Sequence, residues 1–140
     1  MLGINAKASE FQAAMGLCNL KYVDKAISGR KRVTDLYDKL LGAKFKLPVV
    51  QKDTERNYAY YPLVADSEDQ LLGIFDDLAK KNIYPRRYFY PSLNTLPYVK
   101  DAQSCPVSED ISKRVMCLPL YPDLEEDTVR EICGVLLQHE

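Results

Sequence analysis

The sequence predicts an α+β fold, in which a small, mostly antiparallel sheet is covered by helices. Two observations lead there. Several segments repeat apolar residues at helical spacing, and between them lie short runs rich in aromatic and β-branched residues. Strands this short, interspersed with amphipathic helices, make a layered α+β arrangement. A length of 140 residues suits one domain with its own core.

The first helix is expected from Ser9 to Leu20. Ser9 and Gln12 have the spacing of a capping box, which satisfies the first backbone donors. Phe11, Ala14, Met15 and Cys18 then fall on one buried face. A second helix runs from about Val23 to Leu41, with Val33, Leu36, Tyr37 and Leu40 as its stripe. Ser28-Gly29 weakens its first half and marks a bend. Gly42 ends it, because glycine tolerates a left-handed conformation.

Phe45–Val50 reads as a strand, and so does Tyr58–Ala65. Pro62 in the latter must lie where no ladder donor is needed. Ser67 and Gln70 open a helix to about Lys81, with Leu71, Ile74, Phe75 and Leu78 inward and Asn82 closing it. Tyr84–Tyr90 reads as another strand, followed by a proline-punctuated loop. With the Tyr58 strand and the Ser67 helix it would complete a split βαβ unit. Cys105–Val115 is expected to be a short helix with Pro106 in its first turn. A strand over Met116–Leu120 follows. Asp123 and Glu126 resemble a third box, opening a last helix that buries Val129, Ile132, Cys133 and Leu136.

Composition excludes several function classes. The hydrophobic fraction is 46%, the charged fraction 28% and the net charge −1, so no general pull toward nucleic acid or an acidic membrane exists. No apolar run approaches a membrane span and no signal-peptide pattern opens the chain, so a cytoplasmic protein is expected. Cys18, Cys105, Cys117 and Cys133 form no CxxC pair, and the sole histidine, His139, is read as a solvated tail residue. No metal site is expected from them. Cys18 and Cys133 are expected as buried, reduced thiols. There is no phosphate-binding glycine loop, no HExxH and no recognisable Schiff-base lysine. Neighbouring acids such as Asp76-Asp77 point in different directions on a helix and make no acid/base pair. No catalytic residue is assigned.

Asn82–Tyr98 stands apart. Four of the ten tyrosines and three of the eight prolines lie in it, with Arg86 and Arg87 and no acid. In an extended run Arg86, Tyr88 and Tyr90 share one face, and Arg87 and Phe89 the other. Guanidinium beside phenols suits a phosphate or a planar ring. A plain edge strand with a solvated arginine and half-buried tyrosines would have the same composition. At the N-terminus, Asn5 beside Gly3 and just before a helix suits the close approach of an anion.

Taken in order, these landmarks resemble the DegT/DnrJ/StrS family of pyridoxal-phosphate-dependent sugar aminotransferases. The run Gly3-Ile4-Asn5-Ala6-Lys7-Ala8-Ser9-Glu10-Phe11-Gln12-Ala13-Ala14 is similar to the family's segment after its active-site lysine. The spacing of Leu20, Ile27, Arg30 and Tyr37 is similar to its next helix. Asn57-Tyr58, Ile83, Arg87-Tyr88-Phe89-Tyr90-Pro91, Pro97-Tyr98 and Cys117-Leu118-Pro119-Leu120 follow its later landmarks.

The resemblance implies one C-terminal domain of a fold type I aminotransferase. Residues 1–41 would lead from a large domain and residues 42–140 would form the α+β sheet domain. The cofactor lysine, the acid facing the pyridine nitrogen and the stacking aromatic would belong to that large domain, so the isolated chain is expected to be inactive and to hold no cofactor. Asn5 is implied to reach the cofactor phosphate in the adjacent subunit of a homodimer. Lys7 stands where the family commonly has Arg, which replaces a forked contact with a point charge. With Arg86, Arg87, Tyr88 and Tyr90 it is expected to face a nucleotide-sugar substrate or its phosphates, and the alternation of faces lets either Arg86 or Arg87 take that role, not both. Pro91-Ser92-Leu93-Asn94 lacks the histidine that some members carry there. The Arg-Tyr-Phe-Tyr-Pro run favours a 4-keto-6-deoxy sugar, with glutamate as amino donor. The alternative is a stand-alone, non-catalytic α+β module binding a ligand or a protein.

Overall fold

The computed structural model describes residues 8–42, 44–101 and 103–139. Among the described residues are five α-helices and a two-stranded antiparallel sheet. The helices are α1 (Glu10–Leu20), α2 (Val23–Leu41), α3 (Glu68–Ala79), α4 (Pro106–Arg114) and α5 (Glu126–Leu136). The strands are β1 (Tyr61–Val64) and β2 (Val115–Leu118), with Tyr61 opposite Leu118 and Leu63 opposite Met116. Two of the expected strands shrink to single bridges at the sheet edges. Lys46 pairs with Val64 and Arg86 with Cys117, both antiparallel. Spatially the order is the Lys46 segment, β1, β2, the Arg86 segment. The expected split βαβ unit is present in that reduced form, with β2 inserted between β1 and the Arg86 segment.

Both edges stop early for local reasons. Pro48 cannot donate to a ladder, and Val49 is 92% exposed, so nothing extends the Lys46 pairing. The Arg86 segment turns at Tyr88-Phe89. Pro62 sits opposite Cys117, whose backbone N–H and C=O both bond Arg86 instead. The missing donor of Pro62 therefore removes no ladder bond, as its place in the sequence requires.

The core forms where α2, α3 and α5 meet the sheet. Tyr37, Leu41, Leu63, Leu71, Ile74, Leu78, Met116, Ile132 and Leu136 are essentially inaccessible to solvent. The Tyr37 and Tyr61 rings pack with centroids 4.8 Å apart. Their hydroxyls donate to Pro119 O (3.1 Å) and Asp38 Oδ1 (2.8 Å), which lets two phenols stay buried. Burial, the largest cause in both, pushes these phenols far above their ordinary ionisation range.

Several local expectations change. α2 is continuous through Ser28-Gly29. Gly29 serves close packing there, since a Cβ would lie 2.7 Å from Pro122 Cβ. The Ser9–Gln12 box forms in full. At α3 only the Ser67 half forms, because Gln70 Oε1 accepts from Asp66 N–H and Gln70 Nε2 donates to the His139 carbonyl. The Asp123–Glu126 box is absent: Glu125 is the N-cap of α5, and Leu124 is buried just before it. Core burial displaces the helix start by two residues. His139 is not a solvated tail residue; its Nε2 lies 2.9 Å from Asp77 Oδ2. Cys133 is buried as expected, whereas Cys18 is exposed. The reason is that α1 buries none of its residues: Phe11 is 86% and Met15 64% exposed.

Candidate functional site

The Arg86–Cys117 bridge places a guanidinium at the open edge of β2. Arg86 N–H donates to Cys117 O at 3.0 Å and Cys117 N–H returns to Arg86 O at 2.8 Å. Beside this bridge lies a cleft of about 320 Å³, whose lining includes Tyr60, Tyr84, Arg86, Cys117, Pro119 and Tyr121. Arg86 is the one residue of that lining with a full charge at neutral pH, and its side chain is exposed. Phenols, prolines and an exposed guanidinium make a surface suited to a planar or anionic group. Burial raises the Cys117 thiol above its ordinary range, and the residue packs as part of the cleft wall.

Tyr88 borders this cleft through Tyr60. Their hydroxyls are 3.1 Å apart and their ring centroids 5.1 Å apart. Phe89 stacks on Tyr88 at 4.0 Å. The hydrogen bond with Tyr60, then burial, then the neighbouring phenol raise the Tyr88 ionisation, and Arg86 opposes the rise.

The two adjacent arginines have different surroundings. Arg87 ion-pairs with Glu68 at the start of α3 and donates to the Lys113 carbonyl at 3.0 Å. Its Cζ lies 3.6 Å from the centroid of the Tyr90 ring. The expected alternation therefore fails, because Tyr90 goes with Arg87, and Phe89 goes with Tyr88. The turn at Tyr88-Phe89 interrupts the two-residue period on which that expectation rested.

Of the residues expected at the site, Arg86 and Tyr88 come together, while Arg87 and Tyr90 form a separate pair. Asn5 and Lys7 lie outside the described residues. Tyr60 and Tyr121 were not foreseen. A signal for Tyr60 was present: Tyr61, Leu63 and Ala65 are the buried set of the β1 run, so Tyr60 faces the other way.

A family model described as the DegT/DnrJ/EryC1/StrS aminotransferase family matches residues 1–137. The chain belongs to this family. It is 35% identical over 147 aligned residues to the Escherichia coli dTDP-4-amino-4,6-dideoxy-D-glucose transaminase, covering 96% of this chain and 39% of that protein. Among solved structures, a family aminotransferase from Brucella abortus superposes with a TM-score of 0.82 at 26% identity, over 97% of this chain and 37% of the other. DesI, solved in the presence of its TDP-sugar product, gives a TM-score of 0.82 at 25% identity over 96% of this chain and 36% of its own. The small antiparallel sheet with its helices thus matches one part of larger aminotransferases. The chain spans well under half the length of these relatives.

Proposed function

We propose that these residues form the C-terminal part of a pyridoxal-phosphate-dependent aminotransferase acting on a nucleotide sugar that carries a keto group. The sugar is a 4-keto-6-deoxy compound and the amino donor is glutamate. The observation carrying this reading is Arg86, an exposed guanidinium that makes no side-chain bond among the described residues, in a tyrosine-lined cleft. Diphosphate and a planar base are groups that such a surface recognises.

Arg86, Tyr88 and Lys7 face the substrate in this reading, and Asn5 reaches the cofactor phosphate across a homodimer. Tyr90 borders the same loop. Of the two arginines, Arg86 is the one in contact, since Arg87 is already ion-paired and stacked. The protein is cytoplasmic. No helix among the described residues is long and apolar enough to cross a membrane.

When bound, pyridoxal phosphate supplies the electron sink for moving an amino group. The described residues do not by themselves fit that group, because the cleft lining includes no lysine and no carboxylate. No chemical step is therefore assigned to them. Their task is to bind and orient the substrate while residues of a large domain carry the chemistry.

A chimera tests this reading. The corresponding segment of the E. coli dTDP-4-amino-4,6-dideoxy-D-glucose transaminase would be replaced by this chain. Glutamate-dependent amination of a dTDP-4-keto-6-deoxy sugar is expected, with kcat/KM lowered at least ~10-fold by Arg86→Met. A folded, cofactor-loaded chimera that aminates no keto nucleotide sugar would sink the reading.

A further inference from the structure

We propose that Arg87 is a positioning residue: it clamps the Tyr88–Tyr90 turn to α3 and α4 and thereby fixes Tyr88 against Tyr60. The inference rests on the reading that this turn borders the substrate cleft, and it gives Arg87 a task other than touching substrate.

Three contacts meet on this one guanidinium, each from a different element. Glu68 in the first turn of α3 supplies the anion. The Lys113 carbonyl in the last turn of α4 supplies a second acceptor. The Tyr90 ring supplies a face at 3.6 Å. The Arg87 side chain is only 20% exposed, and its Nε is shielded from solvent with no partner among the described residues. Arg86, one residue earlier, is exposed and makes no side-chain bond among the described residues.

A planar fork can donate in its own plane and stack on its face at once, and an ammonium cannot do both. Through the short Phe89 link the clamp sets the orientation of Tyr88. Tyr88 in turn stacks on Phe89 and shares a hydrogen bond with Tyr60. Beside the Arg87 anchor, the rings on this side of the turn are largely exposed, Phe89 at 66% and Tyr90 at 48%.

The experiment is a pH titration of the ligand-free chain carrying ¹³Cζ-labelled tyrosine, with the Tyr88 resonance assigned by Tyr88→Phe. Hydrogen exchange of residues 84–98 is measured in parallel. Arg87→Met is expected to lower the Tyr88 ionisation toward that of a free phenol, because the Tyr60 bond that raises it is lost. It should also speed exchange across the turn at least ~10-fold, and Arg87→Lys should not rescue either change. Tyr90→Leu keeps the ion pair and serves where Arg87→Met fails to fold; it is expected to shift Tyr88 in the same direction. Arg86→Met is expected to do the opposite, raising Tyr88 slightly and leaving exchange unchanged. An unchanged Tyr88 titration in both Arg87→Met and Tyr90→Leu, or full rescue by lysine, overturns the proposal. No substrate takes part in this measurement, so its failure is separate from failure of the chimera to aminate a nucleotide sugar.

Discussion

Helices α1 and α5 have the same length, 11 residues, and opposite fates. α5 buries five residues, Val129, Ile132, Cys133, Val135 and Leu136. α1 buries none, although Phe11, Met15, Leu17 and Leu20 are as apolar as anything in α5. Both show helical apolar spacing, so periodicity says that a helix wants a partner and not where the partner is. A helix this short is marginal in water without tertiary packing. α5 has that packing against α2 and α3, whereas α1 has a full capping box and an unoccupied apolar surface. The relatives match nearly all of this chain and are themselves more than twice its length.

The widest separation between the two helices should appear in stability. Ile132→Ala removes a wholly buried side chain and is expected to cost about 2–5 kcal/mol in urea unfolding. Phe11→Ala in the same chain is expected to change stability by less than ~0.5 kcal/mol. Equal effects would mean that α1 packs against its own chain after all. A smaller effect is expected where α2 meets the loop before α5. Gly29→Ala drives a Cβ to within 2.9 Å of Pro122 Cα and should cost about 1–3 kcal/mol, with no loss of helix content.

The thiols sharpen the same contrast. Cys18 on α1 is exposed and should react quickly with a soluble disulfide reagent, while Cys133 on α5 should not. Burial pushes the Cys133 thiol from 9.0 up to about 11. A group whose ionisation is raised on folding keeps its proton in the native state where the unfolded chain releases it. Its contribution is fully present below about pH 9 and is lost as pH rises through about 11. Cys133→Ala should therefore flatten the alkaline fall in stability across that window. An unchanged slope would contradict the assignment.

The sequence made the helices legible because each carries its own period and three carry a start signal: the caps Ser9 at α1 and Ser67 at α3, and Pro106 in the first turn of α4. It made the strands less legible, since Phe45–Val50 and Tyr84–Tyr90 alternate well and still form one bridge each among the described residues. Strand length depends on a partner edge, which lies elsewhere in the chain. The same non-locality explains the site. Arg86 and Tyr88 were visible as a basic aromatic stretch, but Tyr60 and Tyr121 join them only through pairing across β1 and β2. The divergence of Arg86 and Arg87 was invisible too, because Glu68 and Lys113 are 19 and 26 residues away.

The most direct test of the account uses this 140-residue chain with pyridoxal phosphate, glutamate and a dTDP-4-keto-6-deoxy sugar, followed by visible absorbance and product formation. If the cleft orients substrate and holds no cofactor, as proposed, the chain should give no protein-bound visible band and no glutamate-dependent amination. A stable visible band with turnover by the chain alone would contradict it.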